Sequence, residues 1–474
     1  MSPVGYKLYG IHQASTVGDD VFFGGFMAAS FPTQAFCVTC QRAVPATVAE
    51  AEGHLYLEKR CPTCGEARTL IEHDAALYAR WEANRRPHAA PERTQTVAAS
   101  GCPLDCGLCP NHRQKSCVLL LEVTNACNLN CPVCYAGAGA GASHLPLETV
   151  RTMLEGAVEA AAGRPEILQI SGGEPTCHPQ ILEILRIAKS LPFKYVMLNT
   201  NGLALQDGSI DLAALAALGP GFEVYLQFDG LDDEVHRAFR GRPLLAEKRR
   251  VLETLASHGI PATLVATLRR GVNLEQVGDL LRFGLAHPAV RGVNFQCEAR
   301  FGRTPADAAS GERVTQTEVV NLLARSAPDV LGTEDFLPLS CGLASLVHLE
   351  RVGEAWRPIP RVFADAWRGN PLTATLEELL AAGKGLCACR SGAWFEALLK
   401  SLPADALAGS VEARSRLVHE RFFHVSVASF LDATNFDLNR ACRECTHVLQ
   451  PDGRKIPFSA YNTIYRRPCV QLGG

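Results

Sequence analysis

The sequence predicts an α/β fold with a parallel sheet, preceded by a cysteine-rich segment that binds metal. From residue 118 onward, six short apolar segments alternate with amphipathic helical patterns, which is typical of successive βα units. Before that point, the cysteines fall into tight groups that suit metal ligation. The sheet is either open and doubly wound or a partial barrel. In both architectures the functional site lies at the carboxyl ends of the strands.

The six predicted strands are apolar runs of six to eight residues. They cover residues 118–124, 166–171, 195–201, 223–229, 262–268 and 290–297. Residues 147–163 and 273–288 show helical periodicity and are examples of the helices that separate the strands. Polar residues cluster at the ends of these strands, where a site is expected.

Composition and charge indicate a folded, cytoplasmic protein. The 474 residues exceed one ordinary core, so we expect two or three domains. A net charge of -3 and the absence of long charged blocks argue against a nucleic-acid partner. No apolar run reaches the length of a membrane span, and the N-terminus lacks the pattern of a signal peptide.

Cysteine usage is unusual, because the chain contains 19 cysteines, an odd number. In a reducing compartment, closely spaced thiols indicate metal or cluster ligands rather than disulfides. Two CxxC pairs come first, and their four sulfurs suit a structural zinc or a single rubredoxin-type iron. The spacing leaves both metals open. The four residues are Cys37, Cys40, Cys61 and Cys64.

A compact four-cysteine set follows a linker-like segment that is rich in Pro, Arg and Ala. Four thiolates on one short irregular segment can close around a [4Fe-4S] cluster, and a four-sulfur zinc site is the alternative. The set comprises Cys102, Cys106, Cys109 and Cys117.

Three further cysteines, Cys127, Cys131 and Cys134, lie in the loop after the first predicted strand. Three thiolates hold three irons of a [4Fe-4S] cube and leave the fourth iron open to an exogenous ligand. This CxxxCxxC spacing, together with "SGGEP" at residues 171–175, resembles the radical S-adenosylmethionine (SAM) superfamily over roughly residues 118–300.

The resemblance implies a partial (β/α)6 TIM barrel in which the open iron binds the amino and carboxylate groups of SAM. Reductive cleavage then produces methionine and a 5'-deoxyadenosyl radical. The two glycines of "SGGEP" allow close backbone approach, and its glutamate can accept the ammonium group. The expected cofactor-binding residues are Gly172, Gly173, Glu174, Asn199, Asn201, Gln227, Asp229, Thr267, Asn294 and Gln296.

The cysteine pattern of the N-terminal half and the C-terminal "CTHVLQPDGRKIPFSAYNTIYR" resemble one branch of this superfamily. That branch contains tetraether lipid synthase and pterin-directed, class D-like radical methyltransferases. The resemblance implies about three [4Fe-4S] clusters and one mononuclear iron or zinc. It also implies a C-terminal cluster, for which the candidate ligands are Cys341, Cys442, Cys445 and Cys469, whereas Ser459 occupies a position where a cysteine is expected.

We therefore divide the chain into four predicted parts. Residues 1–95 form a rubredoxin-like metal domain, 96–117 an auxiliary-cluster segment, and 118–305 the radical SAM core. Residues 306–474 form a domain for an auxiliary cluster and the substrate. Cys387 and Cys389 have no assigned role, and Cys177 and Cys297 are expected in the core.

The resulting functional hypothesis is an enzyme that removes hydrogen from an unactivated carbon and forms a carbon–carbon bond, on a lipid alkyl chain. The lipid assignment rests on Leu- and Ala-rich segments in the C-terminal half. The alternatives are C-methylation of a pterin-like heterocycle and, in another class, a non-catalytic multi-cluster electron carrier. Expected partners are a small-molecule or lipid substrate and an electron donor such as ferredoxin or flavodoxin. A lipid substrate would add peripheral contact with a membrane.

Overall fold

A small antiparallel sheet begins the part of the chain that the computed structural model describes. The described residues are 30–83, 90–139, 143–162, 165, 167–305, 311–359 and 420–466. Four strands pair in chain order in the small sheet, and helix α1 (Ala75–Ala83) follows. The strands are β1 (Ser30–Cys37), β2 (Arg42–Ala51), β3 (His54–Cys61) and β4 (Gly65–Glu72). This ribbon carries the two CxxC pairs at its turns.

Six parallel strands form the centre of a second, larger sheet and lie side by side in chain order. Because the order never reverses, the sheet is a partial barrel and not a doubly wound sheet. The strands are β5 (Val118–Thr124), β6 (Ile167–Gly172), β7 (Tyr195–Thr200), β8 (Phe222–Gln227), β9 (Ala262–Leu268) and β10 (Val290–Cys297). The six predicted strands are confirmed, with boundaries that differ by at most two residues.

Helices cover the outer face of this sheet and bury one side of every strand. Along β8, Phe222, Val224 and Leu226 pack outward into the core, while the alternate residues face the barrel interior. The helices between β5 and β10 are α2 (Leu147–Ala160), α3 (Ile181–Ser190), α4 (Leu203–Gln206), α5 (Leu212–Ala216), α6 (Asp233–Arg240), α7 (Leu245–Ser257) and α8 (Val277–Ala286). The period-two pattern thus separates residues that stabilise the fold from residues that can contact a ligand.

The C-terminal third extends the same sheet at both edges. On one edge β14 pairs parallel to β10, and β12 pairs antiparallel to β14. On the other edge β15 pairs parallel to β5, followed by β16. These strands are β11 (Leu337–Pro338), β12 (Ala344–Val352), β13 (Ala355–Pro358), β14 (Phe422–Ala428), β15 (Thr446–Leu449) and β16 (Lys455–Pro457). Three helices accompany them, Gln316–Ser326, Leu438–Ala441 and Phe458–Ala460.

Residues beyond the core are therefore structural parts of the barrel wall. The segment 96–117 has no regular helix or strand and packs against the C-terminal region, where the N–H of Arg113 donates to the carbonyl of Cys442 at 2.7 Å. The Leu- and Ala-rich stretch 365–419 lies outside the described residues. Within the described ranges, no helix has the length and hydropathy needed to cross a membrane.

Candidate active site and cysteine centres

A cavity of about 760 Å³ occupies the interior of the curved sheet. Its volume lies in the range of small-molecule sites, roughly 300–1,000 Å³. Apolar side chains form much of the wall, interrupted by amides, hydroxyls and a few charged groups. Most of the predicted site residues line it, namely Cys127, Cys131, Cys134, Gly172, Gly173, Glu174, Asn199, Asn201, Gln227, Thr267, Asn294 and Gln296.

The loop after β5 brings three cysteines to the upper end of this cavity, at the carboxyl ends of the strands. Cys127, Cys131 and Cys134 pack with Leu129 and other leucines in one small apolar cluster. Arg303 fixes the loop, because its guanidinium donates to the carbonyl of Cys131 at 2.6 Å and its backbone exchanges two hydrogen bonds with Cys134. Burial raises the pKa of Cys127 to about 12. A buried thiolate here therefore needs a cation, and three thiols facing one cavity fit a cluster with one open iron.

The two glycines of "SGGEP" are required because the backbone of the cysteine loop packs directly against them. A Cβ on Gly173 would lie 2.3 Å from the carbonyl oxygen of Ala126, and one on Gly172 would lie 2.2 Å from that of Thr124. The Gly173 N–H donates to Thr124 at 2.8 Å, and the Glu174 N–H donates to Ala126 at the same distance. Both glycines thus let β6 pack directly against the cysteine loop.

Glu174 connects two of the predicted motifs. One carboxylate oxygen accepts from the hydroxyls of Thr176 and Thr200 at 2.7 Å each, and the other accepts from the backbone N–H of Asn201 at 2.7 Å. The buried Lys248 ammonium donates to the carbonyl of Asn201, and burial lowers the pKa of this lysine to about 8. The sequence analysis assigned Glu174 to binding the ammonium group of SAM. The structure shows that its carboxylate also orders the "NTNG" turn.

Asp229 does not line the cavity, although the sequence analysis assigned it to cofactor binding. It is fully buried, and its oxygens accept from the Arg240 guanidinium at 2.6 and 2.7 Å. Burial opposes ionisation, but Arg240 outweighs this effect and the pKa of Asp229 is lowered. Arg240 lines the cavity and contacts Cys131. Asp229 therefore acts by orienting Arg240, which the sequence reasoning missed.

The barrel interior also contains Gln169, Tyr225 and Ser426, polar residues that the sequence analysis did not name, and Gln169 and Ser426 contact predicted site residues. Asn199 donates its amide N–H to Gln169 at 3.1 Å, and Asn294 donates to the Ser426 hydroxyl at 2.6 Å. Tyr225 lies on the same wall. A signal was present, because polar residues recur at every second position of β8 and β10, and this alternation places them on the interior face.

The two CxxC pairs of the ribbon form one four-sulfur centre. The ligand atoms of Cys37, Cys40, Cys61 and Cys64 all lie within 4.8 Å of one another. A hydrogen bond from the Cys40 backbone lowers the pKa of Cys37 to about 6, despite burial. The Cys64 N–H donates to the Cys61 sulfur at 3.3 Å, which is typical of thiolate ligands. The donor set fits a tetrahedral metal ion.

Three members of the second predicted set line one small pocket, and the fourth does not. Cys102, Cys106 and Cys109 line a small pocket with Cys442, and Cys117 is not part of its lining. Cys117 precedes β5 directly, so its backbone follows the barrel wall away from this pocket. Burial raises the pKa of Cys106 to about 12 and of Cys442 to about 11. Four thiols around one small pocket fit a fully ligated [4Fe-4S] cluster. A single zinc needs ligand atoms as close together as those of the ribbon quartet, which is the only such group among the described residues.

A third group lines the main cavity below the first cysteine loop. Cys117, Cys341 and Cys445 all line the cavity, and the buried apolar cluster that contains them also contains Cys106. The predicted C-terminal set is therefore divided, because residues 442–445 run between the small pocket and the cavity. Cys387, Cys389 and Cys469 lie outside the described residues. The Ser459 hydroxyl donates to the buried carboxyl group of Glu444 at 2.8 Å. This serine therefore has a hydrogen-bonding role at the position where a cysteine ligand was expected.

Comparisons with known proteins bear on these centres. A family model described as the HMPTM N-terminal zinc ribbon domain matches residues 31–73, and one described as the radical SAM superfamily matches residues 121–284. The 7,8-dihydro-6-hydroxymethylpterin dimethyltransferase of Methanocaldococcus jannaschii is 30% identical over 92% of this chain and 94% of its own length. The chain belongs to the radical SAM superfamily.

As a radical SAM enzyme, this protein uses SAM and a [4Fe-4S] cluster. The GTP 3',8-cyclase of Chlorobaculum tepidum is 33% identical over 35% of this chain and 49% of its own length. Among solved structures, SuiB of Streptococcus suis has a TM-score of 0.34 and 18% identity, over 41% of this chain and 43% of that one. The relative that spans the chain is named as a methyltransferase, which supports the methyltransferase hypothesis better than lipid coupling.

Proposed function

We propose that this radical SAM enzyme replaces a carbon-bound hydrogen of a pterin-like heterocycle with a methyl group. The observation that carries the proposal is the relative named as a pterin dimethyltransferase, whose similarity extends over both cysteine-rich ends of the chain. The cavity supports it, because an apolar wall with a few placed amides and hydroxyls suits a flat polar ring.

Cys127, Cys131 and Cys134 hold the radical SAM cluster in this proposal. Together, the bound cluster and SAM supply a 5'-deoxyadenosyl radical that removes a hydrogen atom from carbon. Glu174 orders the turn beside this site, and Arg240 contributes positive charge next to Cys131. The interior residues Gln227, Thr267 and Gln296 face the space in which cofactor and substrate meet.

The other cysteines are assigned to three further centres. The ribbon quartet holds one zinc or iron, and the pocket of Cys102, Cys106, Cys109 and Cys442 holds a closed [4Fe-4S] cluster. Cys117, Cys341 and Cys445 would hold a second auxiliary cluster at the cavity wall, and such a cluster would supply electron-transfer chemistry there. Within the described residues this last group has three thiols, and Cys469 remains a candidate fourth ligand.

Lipid coupling receives no support from the described residues. The Leu- and Ala-rich segment on which that hypothesis rested lies largely outside them. The cavity wall carries polar groups on successive strands, among them Gln169, Asn199 and Asn294. An alkyl chain would leave the buried side-chain oxygens of Asn199 and Asn294 without a hydrogen-bond donor, at a cost of about 1–3 kcal/mol for each group.

The proposal is tested with anaerobically reconstituted, reduced full-length enzyme, SAM and 7,8-dihydro-6-hydroxymethylpterin. A low-molecular-weight cell fraction supplies one-carbon donors other than SAM. We expect 5'-deoxyadenosine together with a pterin that has gained methyl groups on carbon, identified by mass spectrometry. Label from methyl-labelled SAM shows whether SAM itself supplies the methyl carbon.

A parallel reaction contains a terminally deuterated alkyl lipid in place of the pterin. Transfer of deuterium to 5'-deoxyadenosine in that reaction, with an unchanged pterin in the first, would reject the methyltransferase proposal in favour of lipid coupling. Cys131→Ala is the negative control, and we expect it to abolish 5'-deoxyadenosine formation while the other metal centres remain bound.

A further inference from the structure

The lower end of the barrel cavity carries a buried polar group that the cysteine centres do not use. Glu223 on β8 lines the cavity close to the amino ends of the strands and is 4% exposed. Thr263 on the neighbouring β9 is fully buried beside it. His348, His424 and Arg291 line the same end of the cavity. A carboxyl group in such a position is costly to bury unless it has a partner.

A hydrogen-bond chain orients this carboxyl group. The Thr263 hydroxyl donates to Glu223 Oε1, and His424 Nε2 lies 3.2 Å from the same hydroxyl. Burial lowers the pKa of His424 to about 4, and the imidazole is neutral at pH 7. This chain holds Oε1 in place, whereas Oε2 receives no hydrogen bond from any described residue.

Two more hydrogen-bond acceptors face the cavity without partners. The side-chain oxygens of Asn199 and Asn294 are buried and accept no hydrogen bond from the described part of the chain, while Gln169 and Ser426 accept from the two amide nitrogens. Both residues line the cavity. Buried polar atoms without partners are uncommon, and in a cavity they indicate a ligand that completes them.

Together, these acceptors define the chemistry of a ligand. These acceptors match N–H donors of a ligand. The basic residues Arg291 and Lys194 lie at the same end of the cavity and disfavour a cationic ligand. The walls around the acceptors include Met197, Val265 and Leu346, against which a flat ring can pack. A neutral ring with adjacent N–H groups on one edge meets all of these conditions.

We propose that Glu223 accepts hydrogen bonds from the exocyclic amine and adjacent ring N–H of a 2-amino-4-oxopyrimidine, the ring that pterins and guanines share. The choice of a pterin rests on the proposed function, and the inference adds the residue that recognises its ring. Burial raises the pKa of Glu223 to about 7. Ligand N–H groups that donate to the carboxylate stabilise its charged form, so Glu223 can be ionised at neutral pH when the ligand is bound. Glu223 is a substrate-recognition residue, with Thr263 and His424 as positioning residues.

The test compares two ligands that differ at the proposed contact. Binding of 7,8-dihydro-6-hydroxymethylpterin to anaerobically reconstituted full-length enzyme is measured by equilibrium dialysis at pH 8. The second ligand is the corresponding lumazine, in which oxygen replaces the exocyclic amine. We expect the wild type to prefer the pterin by about 10–100-fold, the range for leaving a buried carboxylate oxygen unpaired. Glu223→Gln should reduce this preference to within about threefold, since an amide presents an N–H group next to its oxygen.

Glu298→Gln is the matched control. Glu298 also lines the cavity, but Arg269 engages its carboxylate at 2.5 and 2.7 Å, so it has no free oxygen for the ring edge. This variant should keep the wild-type preference. Iron content and circular dichroism verify folding of each variant, and Glu223→Asp, which shortens the side chain, replaces Glu223→Gln if the amide does not fold.

Each result bears on the inference. Equal binding of pterin and lumazine by the wild type, or full preference retained in Glu223→Gln, would overturn it. Loss of preference in Glu298→Gln instead would move the recognition to the upper end of the cavity and also overturn it. GTP provides a further arm: if GTP binds and depends on Glu223 while the pterin does not bind, the ring-edge inference stands and the pterin substrate of the proposed function fails.

Discussion

Cys117 donates its backbone N–H to the carbonyl oxygen of Cys445 at 2.8 Å. This bond joins the start of β5 to the start of β15, two strands that the chain order separates by most of the barrel. It holds Cys117 at the barrel wall, whereas Cys102, Cys106 and Cys109 line the small pocket. Cys442, which lines that pocket with them, comes from the turn just before β15.

This regrouping predicts which substitutions remove the same cluster. Cys102→Ala and Cys442→Ala should each lose about four irons, and the double variant should lose no more, because both ligate one cluster. The combination of Cys102→Ala with Cys445→Ala should lose about eight irons. Iron and sulfide analysis with Mössbauer spectroscopy makes the comparison. Additive loss in the first double variant would return Cys117 to the first group.

The contact between β6 and the cysteine loop predicts a sensitive glycine. A Cβ at Gly173 would clash with the Ala126 carbonyl at 2.3 Å, so Gly173→Ala should displace the loop that carries Cys127. Because such a displacement approaches an ångström, we expect 5'-deoxyadenosine release to fall by about 100-fold. Gly139→Ala is the control in the same loop, since no atom of the described residues lies within 4 Å of its Cβ position. Equal effects of the two variants would contradict this account.

The raised pKa of Glu223 predicts pH-dependent binding of the pterin. Its pKa is about 7 in the folded protein because burial disfavours the charged form, and the carboxylate is the form that accepts both N–H bonds. Affinity should therefore rise with pH through 7 and level off above it, and it should be about tenfold weaker at pH 6 than at pH 8.

The neighbours of Glu223 do not titrate in this interval. Burial lowers the pKa of the two histidines to about 3 and 4, raises that of the two tyrosines, and leaves the arginine charged. The groups concerned are His348, His424, Tyr195, Tyr225 and Arg291, and Lys194 also lies at this end of the cavity. Dialysis with wild type and Glu223→Gln measures the effect, and a pH-dependence that persists in Glu223→Gln would assign it to another group.

The ribbon predicts a structural effect of its metal on the C-terminal region. Phe36 donates its N–H to the Phe436 carbonyl at 2.9 Å, and the Lys59 ammonium donates to Ala433 at 2.9 Å. Cys61→Ala should unfold the ribbon, because structural metal binding is coupled to folding, and should also lower cluster content at Cys442. Metal analysis and limited proteolysis report both effects. Cys177→Ala, at a cysteine outside every group, should change neither.

Several features of the site follow from short stretches of chain and were therefore predictable. Cys127, Cys131 and Cys134 lie within one loop, and their spacing alone brings them together at the end of β5. The same holds for the CxxC pairs, which β-turns present on one ribbon. Asp229 was assigned a wrong contact, because its position at a strand end does not reveal that Arg240 one helix later covers it.

The amino-acid sequence by itself determined the radical SAM core, the parallel sheet and the three-cysteine loop. These depend on hydrophobic periodicity and local spacing, which act over a few residues. Only the tertiary structure shows that Cys442 lines one pocket with Cys102, Cys106 and Cys109, that Cys117, Cys341 and Cys445 line the main cavity, and that Glu223 faces that cavity. Such partners meet because the strands curve into a barrel and both chain ends pack on its edges, and this closure depends on contacts between residues far apart in sequence.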